Sequence, residues 1–248
     1  MIIKKMSKKE NNKLMYFISK KVGKAIGDYK MISHKDKIVV GVSGGKDSIT
    51  LLKMLKFRQT FAPIKFDILA VYIDFGYSPG LCERLKKFFK KQHIDYHIEK
   101  VDIFKKAKNQ DEINCFWCSW NRRKALFETA DKFGIKKVAL GHHFDDIIQT
   151  VLLNLFYQGE ISAMNPKQEL FKGKITIIRP LAYVEKKEIS RFARRENDFA
   201  YEKCSCPKAG DTKRALVEKV IREIAYKNPQ IKKNIFHSIK RIKRDYLL

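Results

Sequence analysis

Six consecutive residues, Ser43-Gly44-Gly45-Lys46-Asp47-Ser48, carry the densest chemistry in the chain. They follow a short β-branched apolar run, 37–42, and precede Ile49, Leu51, Leu52, Met54 and Leu55 at helical spacing, so they form the turn of a strand–loop–helix unit. Two adjacent glycines let the backbone approach an oxyanion closely, and the helix start beyond them offers N–H groups without intrahelical partners. Lys46 adds a mobile positive charge; Ser43 and Ser48 add hydroxyl donors. The loop suits a phosphate ligand. The common nucleotide P-loop needs four residues between its first glycine and Gly-Lys-Ser/Thr, a spacing absent here.

A second group, His142-His143-Phe144-Asp145-Asp146, follows the apolar run 137–141 and opens a periodic segment, 145–157. One Asp at a helix start is often only a cap. Two histidines and two aspartates in five residues, beyond a strand, also suit a ligand. His142 is placed to contact phosphate or nucleotide, and Asp146 to hold Mg²⁺ or manage a proton. A third group is Cys115, Cys118, Cys204 and Cys206. Cys115-Phe-Trp-Cys118 has chelate spacing at a helix start, which favours thiolates. All four would suit closed tetrahedral zinc, although Cys204-Ser-Cys206 is one residue tighter than usual; three would suit an iron–sulfur cubane with one open iron. Spacing alone does not choose between them. Cys82, solitary in an amphipathic segment, reads as a buried structural thiol.

These groups need a frame. Apolar runs at 37–42, 66–73, 96–101 and 137–141 alternate with helical patterns, which predicts βαβ units and a doubly wound parallel α/β sheet in one domain. An N-terminal helix (within 1–30) precedes a core at 35–182, and a helical C-terminal part, 183–248, follows. Residues 102–114 lack any apolar period and read as a loop. Ligands of such sheets bind beyond the carboxyl ends of strands, so Asp74 and the residues after it should border the nucleotide pocket.

Composition sets the partners. Among 248 residues, 53 Lys+Arg stand against 27 Asp+Glu, a formal charge of +26. Such an excess attracts polyanions, or else merely solvates a lysine-rich surface. Lys186, Lys187, Arg191, Arg194 and Arg195 crowd one short helix; Lys232, Lys233, Lys240, Arg241, Lys243 and Arg244 crowd the C-terminal one. No apolar run approaches the ~18 residues of a membrane span, and Met1-Ile-Ile-Lys-Lys lacks a signal peptide's apolar segment. A soluble cytoplasmic protein with no membrane partner is expected. Five cysteines, an odd count, argue against a disulfide framework.

The six-residue loop resembles the pyrophosphatase loop of ATP-dependent adenylating enzymes, which cleave ATP between the α and β phosphates. Together with Cys115-x-x-Cys118, Leu140-Gly-His-His-x-Asp-Asp146-x-x-Gln-Thr150, Asn154-Leu-Phe-Tyr-x-Gly159 and Ile178-Arg-Pro-Leu-Ala182, it resembles the tRNA 2-thiocytidine synthetase family from about Asn12 to about residue 240. That resemblance implies a tRNA sulfurtransferase acting on cytidine 32 with ATP, Mg²⁺ and a 4Fe–4S cluster on three cysteines. It implies that Ser43 to Ser48 bind ATP and that Cys115 and Cys118 are cluster ligands. The family's downstream cysteine pair is separated by two residues and this one by a single residue; aligning back from the helix near Thr212 makes Cys206 the third ligand, with Cys204 the fallback. The implied chemistry is adenylation of the base C2 oxygen, helped by Lys46, Asp47 and Asp146, then its replacement by sulfur held on the open iron, with AMP and pyrophosphate released. The sulfur donor would be a cysteine desulfurase or free sulfide, and the sequence leaves a homodimer open. Tyr157 and Trp117 could stack an unpaired base, although core packing is the first expectation for each. Alternative readings are a 2-thiouridine synthetase, a cluster-free adenylating ligase of the same loop class, and a zinc-stabilised RNA-binding protein.

Overall fold

The computed structural model describes residues 8–76, 78, 80–102, 115–196 and 213–246. Helix α1 (Lys8–Asp28) leads into β1 (Asp36–Val42), α2 (Lys46–Gln59), β2 (Phe66–Asp74), α3 (Leu81–Lys91) and β3 (Tyr96–Lys100). After α4 (Cys115–Lys132) come β4 (Lys137–Ala139), α5 (Phe144–Gln158), β5 (Lys167–Leu170) and β6 (Ile175–Ile178), then α6 (Lys186–Arg195), α7 (Lys213–Lys227) and α8 (Ile231–Ser238).

The sheet order is β3-β2-β1-β4-β6-β5. All neighbours are parallel except β5, which pairs antiparallel with β6. The four expected strands are present; the β5–β6 hairpin is an addition, so the sheet is mixed at one edge rather than wholly parallel. The reason is local: Phe171, Lys172 and Gly173 all take positive φ and turn the chain back on itself.

Strand period divides the core. Ile38, Val40, Val42, Ile68, Ala70 and Tyr72 pack on one face, with α1, α2, α3 and α6. Their neighbours Val39, Val71, Ile73 and Val138 pack on the other, with Ala125, Leu126 and Ala130 of α4. Leu51, Leu52 and Leu55 of α2 are fully buried, at roughly 2 kcal/mol each. That anchors the helix whose first turn carries Lys46, Asp47 and Ser48. A separate cluster of Phe144, Ile148, Val217 and Ile221 joins α5 to α7.

From β1 the chain moves outward to β2 and β3, then returns to the other side of β1 as β4. The crevice between the carboxyl ends of β1 and β4 is therefore the topological switch point. Both sequence-predicted loops open onto it. Among the described residues no helix is long and apolar enough to cross a membrane.

Candidate active site at the sheet switch point

The loop after β1 is braced by its own side chains. Ser43 N–H donates to Ser48 Oγ (3.1 Å), Gly45 N–H donates to Ser43 Oγ (3.2 Å), and Ser48 Oγ donates to the Gly45 carbonyl (2.9 Å). Gly44 has φ +79°, so the backbone there favours glycine, and a Cβ would also press on Leu81 Cδ2 at 2.7 Å. Gly141, leaving β4, passes directly beneath the start of α2. A Cβ on it would lie 2.9 Å from Ser48 N and 3.1 Å from the Asp47 carbonyl carbon. The two loops are thus packed backbone against backbone. Lys46 Nζ donates to Ser190 Oγ of α6 (2.8 Å).

A cavity of ≈ 320 Å³ lies above these loops. Ser43, Asp47 and Ser48 line one side, His142 and Asp146 another, and Ser119, Arg122 and Arg123 of α4 close it. Asp47 Oδ1 is buried there without a hydrogen-bond partner. Burial raises its carboxyl pKa, against the opposing pull of His143 and Lys46. His142 Nδ1 is likewise buried and unpartnered. Burial, and then the positive charges of Arg179 and Arg123, lower the His142 pKa to about 4, so it is a neutral imidazole at pH 7. Arg179 is itself buried, donates to the Asn165 carbonyl, and is lowered to about 10 by burial and by Arg123, which leaves it charged.

Asp146 is both a cap and a site residue. Its Oδ2 accepts from His143 N–H (2.9 Å) at the start of α5, and its Oδ1 accepts from Arg214 Nη1 of α7 (2.8 Å). Asp145 points away from the cavity and accepts from Lys186 N–H (2.6 Å) and Lys232 Nζ (2.6 Å). Its burial alone would raise its pKa; those two donors prevail and lower it. Asp145 thereby holds the C-terminal helices to the core. Asp74 ends β2, accepts from Gly76 N–H (2.9 Å), and is not among the residues lining the cavity.

Cys115 begins α4 and Cys118 lies one turn on, half-buried. Cys204 and Cys206 lie outside the described residues, as does nearly all of the expected 102–114 loop. Among the described residues, no group of three or more His, Cys, Asp or Glu is arranged to hold a metal ion. Cys82 packs partly buried against the core, where burial raises its thiol pKa. Trp117 packs against the core as expected, but Tyr157 does not: it is exposed, with Lys213 Nζ 4.5 Å from its ring centroid. Leu155 and Phe156 beside it are exposed as well, so the last turn of α5 lies outside the core.

Sequence reasoning missed Ser119, Arg122 and Arg123. The Arg122 guanidinium carbon sits 5.0 Å from the Phe75 ring centroid, and its Nε is buried without a partner. The available signal was spacing: Arg122 stands four residues after Cys118, on the same helical face.

A family profile described as a PP-loop domain matches residues 13–223. The chain is 38% identical to the tRNA-cytidine(32) 2-sulfurtransferase of Geobacter sulfurreducens over 236 residues, covering 93% of this chain and 91% of that one. It is 40% identical to the enzyme of the same name from Burkholderia cenocepacia over 244 residues, covering 96% of this chain and 73% of the relative. Among solved structures, the U34-tRNA thiolase NcsA from Methanococcus maripaludis, determined with its 4Fe–4S cluster, shares the fold. It superposes with a TM-score of 0.76 at 22% identity, covering 93% of this chain and 79% of NcsA. Motifs, loop geometry and relatives agree: the chain belongs to the PP-loop domain family, among the tRNA-cytidine(32) 2-sulfurtransferases.

Proposed function

We propose that the chain is an ATP-dependent tRNA thiolase that adenylates the C2 oxygen of cytidine 32 and replaces that oxygen with sulfur. The observation that carries this reading is one of geometry. Helix α4, which begins at Cys115 and bears Cys118, also closes the cavity that the Ser43–Ser48 loop opens onto. One helix thus carries two of the candidate cluster cysteines and, through Ser119, Arg122 and Arg123, a wall of the cavity.

In this reading the ATP phosphates lie against the loop and the first N–H groups of α2. Lys46 leaves Ser190 and offsets charge on the phosphates during displacement. The base oxygen attacks the α-phosphorus, pyrophosphate departs, and AMP later leaves with that oxygen. Asp47 is the carboxylate with an open oxygen and would hold Mg²⁺. Asp146, engaged by His143 N–H and Arg214, positions α5 and α7 at the site. His142, neutral, can accept or donate one hydrogen bond to the nucleotide or the base, and Arg122 offers its unpartnered Nε to an oxyanion.

The donor set at α4 fits a thiolate-held group. Cys115 and Cys118 stand three residues apart in the first turn of α4, where the helix dipole and Arg122 favour negative charge. With Cys206 they would hold a 4Fe–4S cluster, which when bound supplies the iron position for sulfur delivery. The donor of that sulfur is a cysteine desulfurase or free sulfide, and two chains could pair as a homodimer. Lys186, Lys187 and Lys232 are engaged with Glu218, Glu185 and Asp145, so exposed Arg191 and Arg194 of α6 are better placed to meet RNA phosphates. The test is mass spectrometry of nucleosides from tRNA incubated with protein, ATP, Mg²⁺ and sulfide. 2-Thiocytidine should appear, and its absence from anaerobically reconstituted protein would overturn the reading.

A further inference from the structure

Beyond the α4 wall of the cavity lies a second, larger depression of ≈ 610 Å³, between α4 and the β5–β6 turn. Its size suits a nucleotide-sized ligand. Trp120 and Phe127 of α4 and Phe171 of the turn form its apolar surface. Trp120 is 53% exposed and Phe171 is 62% exposed, although Phe171 meets Phe127 edge-on with ring centroids 6.2 Å apart. Large aromatic rings left in water at a concave site call for a ligand with an apolar face. Lys124 Nζ sits 5.6 Å from the Trp120 centroid, and Lys174 and Arg123 complete the rim. Glu128 and Asp131 also border it, with Glu128 facing Lys124 at 4.0 Å.

Arg123 is the connecting observation, because it lines both this depression and the active-site cavity. A polynucleotide with one base in the cavity must lead its next nucleotides along the wall they share. A flat π-face flanked by cations fits a splayed base and its phosphate.

We propose that this groove stacks an unpaired anticodon-loop nucleotide adjacent to the one that reacts. The inference rests on the tRNA reading above and names a second RNA contact within it. Trp120 and Phe171 supply the stacking faces, while Arg123 and Lys174 meet the backbone. Helix α4 then registers the RNA as well as closing the cavity.

The test is binding of an anticodon stem-loop RNA to the full-length protein, followed by tryptophan fluorescence and by electrophoretic mobility. Trp120→Ala should weaken binding about tenfold, in the range found for loss of one base–aromatic stack, and Trp120→Phe should retain most of the affinity. A scan of single abasic nucleotides around position 32 should reveal one at which the wild type loses as much affinity as Trp120→Ala, with no further loss when RNA and protein changes are combined. Equal binding by wild type and Trp120→Ala, or losses that add at every abasic position, would overturn the groove assignment while leaving the thiolase reading intact. A shift in oligomeric state with Trp120→Ala and unchanged RNA binding would assign the groove to a second copy of the chain and also overturn it. Failure of the wild type to bind the stem-loop at all would instead refute the underlying tRNA reading.

Discussion

Arg214 of α7 reaches Asp146 of α5 with Nη1 2.8 Å from Oδ1, while the other carboxylate oxygen caps α5. Cys206 stands seven residues before α7 in the sequence, and this ion pair holds the start of α7 at the cavity. Arg214 is well exposed, and its removal should cost no more than about 1 kcal/mol of stability. Arg214→Ala should nonetheless lower thiolation roughly tenfold or more, with ATP affinity nearly unchanged. Thermal unfolding and single-turnover kinetics measured together check this; equal rates for both proteins would dismiss the tether.

Lys46→Ala should reduce adenylation by about 10²–10³-fold, the usual cost of removing one preorganised charge donor. Binding of tRNA should persist, because its affinity is spread over many surface charges. Pyrophosphate release measured beside tRNA binding separates the two effects.

Protein purified without oxygen should be brown, with broad absorption near ~400 nm from charge transfer to iron, which closed-shell zinc cannot give. Cys115→Ser, Cys118→Ser and Cys206→Ser should each remove colour and activity together, whereas Cys204→Ser should remove neither. Bleaching by Cys204→Ser would make it the third ligand or a fourth. Colourless protein with one zinc, made anaerobically with iron and sulfide supplied, would overturn the cluster.

His142 gives the pH dependence a sign. Its pKa falls from an ordinary 6.5 to about 4 in the folded chain, so between those values the unfolded chain binds the proton and the folded chain does not. Stability therefore falls as pH drops from 6.5 toward 4, by on the order of 2–3 kcal/mol for this group alone. His142→Gln should flatten that part of the stability curve. Parallel denaturant titrations across this range would detect it, and superimposable profiles would exclude a buried neutral imidazole.

Reversing the charge of Arg191 and Arg194 should weaken tRNA binding and flatten its log-salt slope by about one unit per lost phosphate contact. An unchanged slope would reduce these side chains to a solvated face.

Much of this site could be read from residue order because its parts are local. A β-branched run, two glycines and a helical period define the loop after β1, and Asp36–Val42 and Lys46–Gln59 lie close to where those patterns put them. The hairpin was not legible: Lys167-Gln-Glu-Leu170 shows neither a clear alternation nor β-branched residues, and it becomes a strand only because β6 offers an edge. Arg122 and Arg123 also escaped notice, since charges on a helix ordinarily mark its solvent side. Only the tertiary packing of Leu126 and Ala125 beneath them turns that face toward the cavity. Tyr157 shows the opposite error. An aromatic at the end of an apolar helix suggested core, yet the last turn of α5, Leu155 to Tyr157, is exposed.

Cys118 and Arg122 ride on the same uninterrupted helix, α4. With a fixed rise per residue, their axial separation is about 6 Å and their angular offset is small. The helix acts as a ruler between Cys118 and the cavity-lining Arg122, and its graduations are single residues. Inserting one alanine between them would swing Arg122 through about 100° and out of the cavity while lengthening the ruler by only about 1.5 Å. Along α4 the number of residues between Cys118 and Arg122 is therefore as much a part of the site as the two side chains themselves.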